Sequence, residues 1–111
     1  MMRPSNNKYI LLILPVLLLA ACDKGYEVRF TNYYTEPIDS LVIGSYQVVF
    51  EDIAPETSTG YKPVTRGNHS LKFITRSGRR IYSTMPIPSK GTGKRTVQID
   101  GIEQVHIFEE E

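Results

Sequence analysis

Several features are scarce in this 111-residue chain, and each scarcity excludes something. There is a single cysteine, Cys22, so no disulfide can form within the chain. There are two histidines, His69 and His106, and neither sits in a zinc-ligand spacing. The longest apolar run, Ile10 to Ala21, has 12 residues. As a helix it would reach only about 18 Å, against a hydrocarbon core of roughly 30 Å, which is too short for an ordinary transmembrane span. Helical periodicity is missing after residue 22, so there are no crossover helices to build a parallel βαβ sheet. Acidic residues are absent from 57 to 99.

What is present begins with an address. Met1 to Tyr9 carries Arg3 and Lys8 and no acid, and the 12-residue apolar run, ending in the small residues Ala20 and Ala21, follows it. That is the layout of a secretory signal peptide. The run ends in Leu19-Ala20-Ala21-Cys22, which resembles the lipobox of bacterial lipoproteins. The resemblance implies that the Cys22 sulfur takes a diacylglyceryl group, that a peptidase cuts just before it, and that the new amino group is acylated. Two or three acyl chains hold a protein on a membrane essentially permanently, where one holds it marginally. The expected organisation is a signal peptide over 1–21, a lipidated tether over 22–25, a domain over 26–108 and an acidic tail over 109–111. The expected location is the bacterial cell envelope, at the outer membrane or cell surface rather than the inner membrane. Asp23 leaves this open, because an acid after the lipidated cysteine signals inner-membrane retention in some bacteria only.

From Tyr26 onward the pattern is that of strands. Tyr26, Val28 and Phe30 alternate with Glu27, Arg29 and Thr31, the signature of a half-buried strand. Further strands are predicted over Ile38 to Ile43, Tyr46 to Ile53, Thr57 to Val64, His69 to Thr75, Arg80 to Ile87, Arg95 to Ile99 and Glu103 to Phe108. Gly44-Ser45 and Asp100-Gly101 are two-residue turn signals between them. Pro63 confines its strand to an edge or an end. About eight short strands with one apolar face each must bury that face against a second sheet. The expected fold is therefore all-β, a single antiparallel β-sandwich, with a small closed barrel as the alternative. The phrase Ile53 to Val64, then Gly67 and Leu71-Lys72-Phe73, looks like the small immunoglobulin-like or prealbumin-like domains of bacterial cell-surface lipoproteins. That resemblance implies fold and location, not an activity.

Chemistry is sparse. Glu103-Gln104-Val105-His106 has the spacing of a di-iron helix motif, but on a strand those two residues face opposite ways. Lys90-Gly91-Thr92-Gly93-Lys94-Arg95-Thr96 lacks the earlier glycine and the following helix of a phosphate loop. Gly44-Ser45 lacks the flanks of a nucleophile elbow. Asn68-His69-Ser70 matches a glycosylation acceptor but is accounted for as a turn. No enzyme activity, cofactor or metal is expected.

The charge order is unusual. Residues 57–99 hold nine bases and no acid, 22–56 hold seven acids and two bases, and 100–111 hold five acids and no base. One reading is a basic face at Arg76, Arg79 and Arg80 and at Lys90, Lys94 and Arg95, with Tyr33 and Tyr34 as an aromatic patch. Such a face suits an anionic envelope component or another envelope protein. The other reading is that acidic and basic strands neutralise each other locally, with Tyr33 or Tyr34 folded back as a lid. No aromatic-plus-basic groove points to nucleic acid. The sequence thus predicts a lipid-anchored binding or structural module, or alternatively an envelope enzyme inhibitor or a subunit of a membrane-associated complex.

Overall fold

The computed structural model describes residues 25–110; the segment expected to be a signal peptide, Cys22 and most of the expected tether lie outside the described residues. Nine strands follow one another: β1 (Tyr26–Asn32), β2 (Ile38–Ile43), β3 (Val48–Ile53), β4 (Thr57–Ser58), β5 (Lys62–Val64), β6 (Gly67–Thr75), β7 (Arg80–Ile87), β8 (Gly93–Ile99) and β9 (Val105–Glu110). They form two sheets, β4-β1-β8-β9 with β5 also on β1, and β3-β2-β6-β7. The fold is an all-β sandwich, and the sheets do not close into a barrel.

Alternation decides the core. Val28 and Phe30 of the first sheet and Leu41, Ile43, Leu71 and Phe73 of the second are fully buried, as are Val97 and Ile99. The Phe30 ring joins the sheets, with centroid separations of 5.6 Å to Phe73 and 6.5 Å to Phe50. Tilted pairs at such distances add to the area they bury.

One pairing departs from the expected antiparallel pattern. β1 and β8 run parallel, from Tyr26↔Gly93 to Asn32↔Ile99. No crossover helix is needed, because the intervening chain visits the opposite sheet twice and returns in the same direction. The strand predicted over 57–64 divides into β4 and β5, both antiparallel to β1, with Pro63 in an edge strand. β9 begins at Val105 rather than Glu103 and runs to Glu110, so Glu109 and Glu110 belong to the last strand and not to a tail.

Both two-residue turns are longer than the sequence suggested. Ile43 pairs with Val48, leaving Gly44 to Gln47 as a four-residue loop in which Tyr46 takes φ of 63°. Asp100 Oδ1 accepts the Ile102 and Gln104 amides at 3.0 and 2.9 Å, and Glu103 occupies the left-handed position at φ of 68°. That is a turn followed by a bulge residue, a position more often filled by glycine.

The strand directions define two ends. The proximal end is where β1 starts; its loops are 44–47, 65–66 and 88–92. The distal end holds loops 33–37, 54–56, 76–79 and 100–104.

Candidate functional site

The basic residues that the sequence groups together are separated by the fold. Arg76, Arg79 and Arg80 stand at the distal end, whereas Lys90, Lys94 and Arg95 stand at the proximal end.

At the distal end, acids from elsewhere in the chain meet the arginines. A register shift in the β2–β6 pairing beside Asp39 accompanies the approach of its carboxylate to Arg76, whose Nε donates to Oδ1 at 2.5 Å. The other prong, Nη2, donates to Asp52 Oδ1 at 2.7 Å. Arg79 grips Glu103 in a fork, Nη2 to Oε1 and Nε to Oε2, both at 2.6 Å. This guanidinium is the main reason that the Glu103 carboxyl is held below its ordinary range. Tyr34 is buried and its hydroxyl donates to Glu103 Oε2 at 3.0 Å; burial, then the carboxylate, pushes its own titration upward. Glu36 accepts the Ser77 amide at 2.6 Å and is held low chiefly by that bond. Tyr34 thus closes this end of the sandwich, while Tyr33 is 51% exposed. Arg80 opens β7 on an exposed position. Arg76 therefore ties the β6–β7 turn to β2 and β3, and Arg79 ties it to the β8–β9 turn; exposed pairs of this kind are worth little individually.

The proximal end is organised around Tyr26. Its ring lies within 5.3 Å of the Arg66 guanidinium and 5.0 Å of the Arg95 guanidinium, and its hydroxyl donates to the Lys90 carbonyl at 2.8 Å. Arg66 also donates to the carbonyls of Pro88 (3.3 Å) and Gly91 (2.8 Å). Arg95 is 8% exposed, and its nearest carboxylate, that of the well-exposed Glu109, is 3.9 Å away. Lys94 Nζ sits 4.7 Å from the centre of the Tyr61 ring, which the Arg29 guanidinium approaches to 5.1 Å. Tyr61 in turn donates to Glu110 Oε1 at 2.7 Å, and Glu110 also meets Thr96 and Arg29. The Thr96 contact, then that of Tyr61, holds the Glu110 carboxyl low.

The three proximal loops form one connected surface. Gln47 Oε1 accepts from the Thr65 amide at 3.2 Å and its hydroxyl at 2.7 Å, and Arg66 spans to 88–92. His69 Nε2 lies 2.7 Å from the Thr65 carbonyl. Tyr46 projects from this surface, 73% exposed. Between the open edges of β7 and β9 is a cleft of about 380 Å³ lined by Pro86, Ile87, Pro88, Arg95, Ile107 and Glu109.

Sequence reading named Lys90, Lys94 and Arg95 but gave no role to Arg66, Tyr26 or Tyr46. Tyr26 reads as an ordinary core position, and only the tertiary contacts reveal the two cations on its ring. Glu103 and His106 do not converge: Glu103 turns to Arg79, while His106 Nε2 lies 3.1 Å from Asp100 Oδ2. Among the described residues, no group of three metal-ligating side chains is gathered.

No family model and no curated protein matches the chain. Among solved structures it is similar to a protein from Eubacterium rectale determined by NMR, at 8% identity and a TM-score of 0.48, over 80% of this chain and 91% of that one.

Proposed function

We propose that the protein is a bacterial lipoprotein, held on an envelope membrane through acylated Cys22, whose sandwich serves as a binding or structural module rather than a catalyst. The observation that carries this reading is the placement of Leu19-Ala20-Ala21-Cys22. It ends an apolar export segment three residues before Gly25, and the first core strand starts at Tyr26. A cleavage before Cys22 leaves every described strand intact and adds only a short tether.

The strand order supports the prealbumin-like side of the resemblance. In immunoglobulin domains the first two strands share a sheet. Here β1 and β2 lie in opposite sheets, and the first sheet joins β1 to the last two strands.

Mass analysis of the membrane fraction tests the anchor. The expected result is a diacylglyceryl-modified peptide beginning at Cys22, with the protein released to the soluble fraction by Cys22→Ser. An unmodified Cys22 in a mature, soluble protein removes the proposal. Protease treatment of intact cells then separates a surface from a periplasmic location.

A further inference from the structure

The geometry points to a second membrane contact: the proximal loop surface of the sandwich, with Tyr46, Arg66, Lys90 and Lys94, rests on the headgroups of an anionic lipid bilayer. This inference rests on the proposed anchor for its orientation, but its chemistry can be tested without one.

Position comes first. Four peptide steps separate Cys22 from Tyr26, and each residue adds at most about 3.3–3.6 Å. The two Cα atoms therefore lie within roughly 14 Å of each other whatever path residues 23–25 take. An acylated Cys22 sits at the headgroup level, so the end of the sandwich where β1 starts is kept near the interface. The distal end is farther off by the length of β1, about 20 Å at the usual strand rise. The tether lets a charge at the proximal end come within reach of a surface potential that decays over about 8 Å, and with β1 standing off the surface a distal charge lies beyond it.

Charge agrees with position. Loops 44–47, 65–66 and 88–92 contain Arg66 and Lys90 and no acid, while the four distal loops contain Glu36, Glu56, Asp100 and Glu103 against Arg76 and Arg79. Lys94 and Arg95 extend the basic group along the start of β8. Among the described residues the acids nearest to it are Glu27, Glu109 and Glu110, and Glu110 is already engaged by Arg29, Thr96 and Tyr61. The polarity therefore favours one orientation on an anionic surface and opposes its reverse.

Tyr46 supplies an independent observation. It is 73% exposed in loop 44–47, beside a depression that Lys72 and Tyr82 also line, and it is held at φ of 63° in a loop where an asparagine or glycine would be less strained. A tyrosine offering an apolar ring and a polar hydroxyl is the side chain suited to the boundary between acyl chains and headgroups. Arg66 and Lys90, in the neighbouring proximal loops, match lipid phosphates in charge.

The test uses the chain from residue 23 onward, without acyl groups; β1 to β9 and the whole described core fall inside it. Sedimentation with vesicles of phosphatidylcholine plus phosphatidylglycerol is compared with vesicles of phosphatidylcholine alone. The expected result is retention on the anionic vesicles that falls with added salt. Each of Lys90→Gln and Lys94→Gln should weaken it about five-fold. Tyr46→Asn, which tolerates the same backbone, should also weaken it, and Arg80→Gln at the exposed distal start of β7 should not. Equal affinity for both vesicles, no retention on either, an equal effect of Arg80→Gln, or capture by an acidic polysaccharide without vesicle binding would each overturn the proposal. Loss of Cys22 acylation would remove the anchor but would not change this result.

Discussion

Arg79 and Glu103 meet as a two-pronged ion pair across 24 positions of sequence, joining the β6–β7 turn to the β8–β9 turn. Glu103 holds this place with its backbone in the left-handed region. Its carboxyl is depressed in the folded chain, first by Arg79 and further by the Tyr34 hydroxyl. Such a group favours the folded state above its unfolded pKa, and the contribution disappears as pH falls through the folded value. Glu103→Gln should therefore melt at a lower temperature than the parent at neutral pH. The difference should close below about pH 4, the usual carboxylate range. Thermal melts at a series of pH values check this; a gap that persists in acid would mean that Glu103 acts through its turn geometry and not its charge.

Asn32 is fully buried at the end of β1, and its amide is fully used. Nδ2 donates to the carbonyls of Ile53 (3.0 Å) and Glu36 (3.2 Å), and Oδ1 accepts the Tyr34 amide at 2.8 Å. Asn32→Ala should cost about 2–3 kcal/mol by leaving these groups without partners. Asn32→Asp should cost more, because it turns a carboxylate oxygen toward two carbonyls. Urea unfolding gives the free energies, and hydrogen exchange at Tyr34 should accelerate in both variants.

Phe30 bridges the sheets, so its truncation should be felt by the whole sandwich. Phe30→Ala should lose about 3–5 kcal/mol. At roughly 0.05–0.15 kcal/mol per residue this is a large share of the total stability of a domain of this size, so the variant should melt well below the parent. Calorimetry would show it, and an undiminished transition would contradict the packing described.

Gly91 has φ of 84°, and a Cβ there would stand 3.1 Å from the Tyr26 hydroxyl. Gly91→Ala should destabilise by about 1–2 kcal/mol from backbone handedness alone and should disturb the Tyr26–Lys90 bond. Gly60→Ala is the matched comparison, since a Cβ at Gly60 meets nothing within 4 Å and its φ is ordinary. It should be neutral or slightly stabilising. Equal melting temperatures for the two variants would argue against a fixed proximal loop.

Strand identity was legible from residue type because alternation is a property of neighbours. Tyr26, Val28 and Phe30, or Leu71 and Phe73, declare a buried face without reference to the rest of the chain. The turns were legible as positions but not as lengths: the left-handed backbone of Tyr46 and Glu103 depends on Gln47 meeting Thr65 and on Glu103 meeting Arg79.

By itself the sequence determined that the chain after Cys22 forms strands, that no disulfide ties them, and that bases and acids fall into blocks. Only the tertiary structure decided that β8 lies beside β1, and the even number of chain reversals between them makes that pair parallel. It also divided the basic block between the two ends, because β6 to β7 turns at one and β7 to β8 turns at the other. Arg76 finds Asp39 across 37 positions, while Arg66 and Arg95 meet on the Tyr26 ring. Charge is local in sequence, but its neutralisation is a matter of distance, and the topology sets those distances.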